Sequence, residues 1–573
     1  MPRSSCRTRS VALCALFALV SRPTLAQVPD SAPPRCDGKT ITSIDVQPLP
    51  PAVIGRSPSA WRRAAQRVLF QSTTTREDVV RPFLLLRVGQ RCSDALLAEA
   101  ARVLRSRPYI ASASVRAVTD SAQGVHVVVE TVDEIPLVIG GGWKNGGLSD
   151  LTFGNANLEG LGIQLVGRWR QGDAYRDGLT LGFRKHGVFQ QPVVLAVDVV
   201  RNPLGSQLSY SATRPFLSDL QHIAWHAGGQ QSTSYYHFVR PSGPALLVPV
   251  QRDIWTAGAV ARLAWRSRGV LLGPVATYER SRPGINAVIA SDSGLVPPDT
   301  DVVGLRYPSY KSVRVGGAVG FRLLSFQVVH GFDALLGEQD IARGVQLGAL
   351  VQRGLGASDR NDFASVDLYT GAGGKSSFVG LRVQGEGERQ RATNAWNAVV
   401  ASGRAAWYAR PSETRTFVAS AEFSGAWRER LPLQLSLGDA RAGVRGYKDA
   451  TIAGGRRALL RLEQRHAVGS LGRLAHMGTA LFTDFGKTWS GDVPFGETTV
   501  ARASVGAGLL LALPPRSRRM LRADIAVPVT AGAPKRWLLR VAAFDATRAF
   551  WREPSDIASQ RAGAPPSSIF GWP

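Results

Sequence analysis

From Ile135 onward the chain runs as short alternating segments broken by turn chemistry, and no stretch is apolar for long enough to cross a bilayer as a helix. Gly162–Arg170, Leu179–Lys185, Val193–Val200, Ala257–Trp265, Val313–Leu323, Ser376–Gly385 and Phe417–Trp427 are examples. Residues two apart on a strand share a face, so each segment offers one apolar and one polar side. Many such strands in one sheet call for closure, because an open sheet leaves unpaired edges. Mean hydropathy of −0.04 fits a barrel whose lipid-facing and lumen-facing residues average to neutral. At roughly 26 residues per strand and connection, the length suggests about sixteen strands. The expected fold is therefore mainly β: a transmembrane antiparallel β-barrel, preceded by one small α/β domain.

The chain's first part reads differently. Residues 1–26 have the form of a secretory signal, with Arg3, Arg7 and Arg9 ahead of an apolar run and Thr24-Leu25-Ala26 as the cleavage site. A Pro-rich leader (27–38) follows. Over 39–134 a strand at Ile41–Val46, helical patterns at 59–70 and 74–86, and a helix after Ser93 precede two strands, Ile110–Val118 and Val125–Val132. The barrel is expected over 135–551 and a Pro- and Ser-rich tail over 552–573. Asp177-Gly178 reads as a tight turn. Tryptophans such as Trp169, Trp407, Trp427 and Trp551 suit interfacial girdles.

A formal net charge of +26 raises nucleic acid as a partner. The arginines are spread along the strands and the chain carries a secretory signal, so nucleic acid is set aside. A basic lumen with loops facing anionic lipopolysaccharide fits better. With Cys6 and Cys14 in the signal, Cys36 and Cys92 remain in an oxidising compartment, a pair suited to one disulfide and too few ligands for zinc.

Enzyme chemistry finds no frame. His222 and His226 would stand about 13 Å apart on a strand, so they do not share a metal. Gly373-Gly374-Lys375-Ser376 has the end of a phosphate-binding loop, yet position 369 is Tyr369 and the setting is a hairpin. No cofactor is expected, and no catalytic residue.

Val444-Arg445-Gly446-Tyr447 lies in a Gly-rich connection, and the two strands after it each carry an acid, Glu463 and Asp484. This arrangement resembles the outer-membrane assembly and secretion family typified by BamA, TamA and FhaC. Asn157-Leu158-Glu159-Gly160-Leu161-Gly162 is similar to that family's early-barrel turn, and Arg522–Pro528 to its penultimate strand. The β-α-α-β-β order of 39–134 resembles a POTRA domain. The resemblance implies that Arg445, Gly446 and Tyr447 fold back into the lumen, where Arg445 bridges Glu463 and Asp484. The alternative is three ordinary lumen charges with Arg445 in a mobile loop. The chain departs from the family in not finishing on a barrel strand, and the missing second POTRA and N-terminal plug helix argue against the FhaC branch.

The expected location is the outer membrane of a Gram-negative bacterium, with the N-terminal domain in the periplasm. The expected role is assisting insertion or translocation of unfolded outer-membrane or secreted polypeptides, captured by β-augmentation on the small domain. Two other readings stay open. One is a passive or dedicated export pore; the other is a structural anchor that recruits a periplasmic or inner-membrane partner protein. Five glycines assigned to the first barrel strand (Gly140, Gly141, Gly142, Gly146, Gly147) suggest a labile seam.

Overall fold

The computed structural model describes Cys36 and residues 38–561, apart from 52–73, 120–123, parts of the 439–451 connection, 531–536, 546–550, 552 and short stretches in other turns. The expected signal, most of the leader, the helical segment at 59–70 and residues 562–573 lie outside the described residues.

The small domain begins with β1 (Thr40–Leu49), followed by α1 (Glu77–Leu84), α2 (Asp94–Arg105), β2 (Ile110–Thr119) and β3 (Gly124–Asp133). Its sheet order is β1-β3-β2, with β1 parallel and β2 antiparallel to the central β3. Ser93 caps α2 by accepting from the Leu96 amide at 3.2 Å. Leu97, Val103 and Leu104 of α2 meet Val79, Val80 and Phe83 of α1 over Val127 and Val129 of β3. Cys36 and Cys92 form a disulfide with Cα atoms 5.6 Å apart, tying the segment before β1 to the loop before α2.

Next comes a closed barrel. Among the described residues twenty strands form the wall, from Leu137–Lys144 to Leu538–Asp545, and a short hairpin (Val288–Ser291 with Gly294–Val296) extends one rim. The expectation of about sixteen is corrected to twenty because the early wall is compact. The six strands within Leu137–Arg214 are only 8 to 11 residues long. Later strands reach 20 and 21 residues, so an average spacing undercounts the wall.

Outward positions are apolar: Leu181, Val199, Val319, Val351, Leu460, Leu481, Leu509 and Ile525 are all exposed. Inward positions are polar and crowded, and Arg314, Arg404 and Arg457 are among the largest fully buried side chains. That pattern inverts a water-soluble protein and suits a hydrocarbon surround. No described helix is long and apolar enough to cross a membrane.

Three local readings change. Gly147 starts the second wall strand, so the glycines of the first are Gly140, Gly141 and Gly142. Asp177 does not sit in a two-residue turn. The strands around it end at Arg170 and start at Gly178, and its carboxylate holds the connection by accepting from the Trp169 indole and the Gly172 amide. The final wall strand closes at Asp545, and Trp551 stands in the lumen against Tyr369.

The small domain seats on the barrel end formed by the turns near 157, 217, 335 and 517. Arg105 forms a two-bonded ion pair with Asp340, and Ser517 donates to Glu134. Arg518 donates to the carbonyls of Arg107 and Ile110, and Arg519 to those of Pro108 and Ile135.

Candidate functional site

The connection between the strands Arg415–Trp427 and Arg456–Leu471 starts at the barrel end opposite the small domain and folds into the lumen. Leu435–Ser436 and Ala453–Gly454 pair as a two-residue ladder, giving the entering chain its own backbone partners. Val444 and Leu437 then pack with Leu459 and Tyr447 in a small apolar cluster. Gly486 makes room for it, since a Cβ there would lie 2.4 Å from a Val444 methyl. Gly446 takes φ +87° and turns the tip where a Cβ would come within 3.2 Å of Ala526. Tyr447 donates to the Ala503 carbonyl or to Thr530, each 3.1 Å from its hydroxyl.

These contacts aim Arg445 at the inner wall. Its Nε and one terminal nitrogen each reach an Asp484 oxygen at 2.7 Å, a planar two-bonded pair, and its amide also donates to Asp484 at 3.2 Å. The other terminal nitrogen lies 3.1 Å from Glu463 and 3.5 Å from Asp524. The guanidinium sits 3.4 Å from the centre of the Phe482 ring. Asp484 is 0% exposed, and Leu481 on the opposite strand face is 64% exposed, so the acid faces inward. Phe482, the apolar group that blurs this alternation in the sequence, is the surface on which Arg445 lies.

Sequence reasoning missed half of the cluster. Arg522 makes two bonds to Glu463 and two to Asp524, and Arg465 bonds Glu463 at 2.5 Å. Arg445, Arg465 and Arg522 thus face Glu463, Asp484 and Asp524, and their charges balance. Balance matters here because an unpaired charge at such depth is costly. The signal was present: Arg522 and Asp524 share a strand face opposite Ala523 and Ile525.

The Asn157–Gly162 turn acts elsewhere, as the socket of the small domain. Asn157 donates to the Thr75 hydroxyl at 2.7 Å and accepts from the Gly162 amide at 2.7 Å. The Gly160 carbonyl accepts from the Arg76 amide. Gly160 and Gly162 have φ of +70° and +66°, and a Cβ at Gly160 would stand 2.1 Å from the Thr74 carbonyl oxygen. Thr75 is also bonded through amide and hydroxyl to Asp133, which burial pushes up to about 6 against the lowering effect of those bonds.

No protein-family model and no curated protein matches the chain. Among solved structures it is similar to BamA of Haemophilus ducreyi lacking POTRA domains 1–3, at 11% identity and a TM-score of 0.40, over 88% of this chain and 84% of that one. Similarity to CdiB from Acinetobacter baumannii has 10% identity and a TM-score of 0.41, over 88% and 73%. For CdiB from Escherichia coli the values are 13% and 0.35, over 91% and 93%. Overlap at this level assigns neither kinship nor activity.

Proposed function

We propose that this protein is an outer-membrane barrel that assists the insertion or translocation of other polypeptides, with the small domain acting as a POTRA-like receiver in the periplasm. The observation that carries the reading is the Arg445 cluster. It is a connection drawn into the lumen and held by a charge-balanced lock, on a barrel whose other end seats a small α/β domain. A lock of this depth stiffens one side of the wall, and β1 and β2 are the two edge strands of the receiver's sheet. Main-chain pairing on such an edge holds an extended client without demanding a sequence. The mechanism needs no cofactor and no reacting group.

A passive pore is the reading that the arginine-rich lumen would favour. An open pore needs a clear path, and this lumen holds the described part of the 428–455 connection and, after the last wall strand, the described part of 551–561. Depletion of the protein in its host is the test. A fall in many outer-membrane proteins supports the assembly role, whereas their unchanged levels together with loss of one exported solute would replace it with the pore.

A further inference from the structure

After the last wall strand, the described part of 551–561 lies inside the barrel and belongs to no sheet. It includes one helical turn, α3 (Ser555–Ala558). The wall receives it in two ways. Arginines bind its main chain: Arg404 and Arg382 donate to the Trp551 carbonyl at 2.8 and 3.3 Å. Arg252 donates to the carbonyls of Ser559 and Arg561 at 2.7 and 3.1 Å. Side chains are bound as well. Ser402 donates to Glu553, and Arg457 to Asp556 at 2.8 Å. Ile557 is 0% exposed and packs with Val400, Ala426, Leu433 and Leu435. Arg561 bonds Glu553 and lies 3.7 Å from Glu386.

Two features show a wall shaped for this occupant. Gly380 stands where the Trp551 ring lies, and a Cβ there would be 2.6 Å from it. Each of the arginines also has an acceptor of its own. Arg252 bonds Glu279, Arg382 bonds Asp367, Arg404 bonds Gln384, and Arg457 bonds the Ser436 carbonyl. Departure of the segment leaves Arg252 and Arg382 paired with wall carboxylates and Arg457 3.7 Å from Glu422, while Arg404 keeps the Gln384 oxygen, so release strands few charges and its cost is limited.

We propose that the inner wall carries a peptide-binding seat whose occupant is this chain's own 551–561 segment, and that this segment is a releasable plug of the barrel. The seat takes a short, turned peptide with two carboxylates and an isoleucine directly after the second. Main-chain recognition fixes its path, and Asp556 and Ile557 fix its register. The plug also touches the connection that carries Arg445. Gln560 donates to the Pro432 carbonyl, and Arg457 bridges Ser436 and Asp556. The two segments fill the lumen from opposite ends and meet.

Conductance in planar bilayers tests this without any client, so its outcome is separate from that of the assembly role. A chain ending at Asp545 is expected to conduct severalfold more than the full chain while keeping heat-modifiable gel mobility. A synthetic peptide of residues 546–573, added on the side of the small domain, should return it to the full-chain level. The same peptide carrying Asp556→Asn and Ile557→Asp should not. In the full chain, Ile557→Asp alone should raise conductance, which keeps the test open if the shortened chain does not fold. Full-chain conductance in the folded shortened barrel or in Ile557→Asp, or equal closure by both peptides, overturns the plug.

Discussion

The lumen holds two foreign segments in opposite ways. At the Arg445 cluster the connection supplies a cation and the wall supplies Glu463, Asp484 and Asp524. At the seat of 551–561 the wall supplies four cations and the segment supplies carboxylates and carbonyls, with Arg561, among the described residues, as its one cation toward a wall acid, Glu386. The decisive difference lies in what each leaves behind. Among the described residues the Asp484 carboxylate pairs with no side chain but Arg445, whereas each wall arginine around the plug has another acceptor. One contact is built to stay; the other can part.

The largest expected effect follows from that asymmetry. Arg445→Ala strands Asp484 at full burial, a loss that should approach about 3–5 kcal/mol. The barrel should still assemble, since Glu463 and Asp524 keep Arg522, but protease should reach the 438–455 connection. Arg445→Lys should recover part of the loss, because an ammonium cannot form the planar pair with both oxygens. Asp484→Asn should match Arg445→Ala, and the double variant should cost less than the sum of the two. Additive losses would show that the pair does not act as a unit and would remove the contrast.

Asp556→Asn should do less, roughly 1–3 kcal/mol, because Arg457 loses one charged partner and keeps the Ser436 carbonyl. Its readout is faster cleavage within 546–561 at unchanged barrel melting. A loss as large as that of Arg445→Ala would mean that the segment is a structural strut and not a releasable one.

At the junction with the small domain, Asn157→Ala should weaken seating by about 1–2 kcal/mol, since it removes the bonds to Thr75 and Gly162. Limited proteolysis between residues 134 and 137 measures it. Unchanged release would shift the weight of docking to Arg105, Arg518 and Arg519.

The smallest effect is the pH response of the same junction. Burial holds Asp133 up at about 6, with the Glu134 charge adding and the Thr75 bonds opposing. A raised carboxyl binds its proton more tightly in the folded domain than in the unfolded chain. Stability is therefore gained as pH falls through about 6 and lost as pH rises from the unfolded carboxyl range through that value. Between pH 7 and pH 5 the gain should be roughly 1 kcal/mol, and Asp133→Asn should flatten it. A domain that loosens over this range would place the proton elsewhere.

The inward faces of Glu463 and Asp484 were legible because a period of two assigns every residue of a strand to one side or the other. Arg445 was legible through its motif. Asp524, Arg522 and Arg465 were not joined to them, although their faces could be read, because nothing in a sequence says which strands stand side by side across a lumen. The number of strands was misjudged for a related reason: turn length varies along the wall, and an average hides the short hairpins of 137–214. The Asn157–Gly162 turn could be recognised but not assigned a partner. Its two left-handed glycines make sense only once Thr74 and Val79 are packed against them.

By itself, then, the sequence determined the period of the strands, the polarity of each face, the division into a small α/β domain and a β-structure, and the identity of the latch arginine. The first three follow from local geometry, since neighbours on a strand or helix are fixed by the backbone; Arg445 was picked out by the resemblance of its motif. Tertiary structure alone decided the closure at twenty strands, the docking of Thr75 on Asn157, and the course of 551–561 past Arg252, Arg404 and Arg457. The contacts of 551–561 join residues up to 309 positions apart, where only the path of the whole chain determines which charges meet.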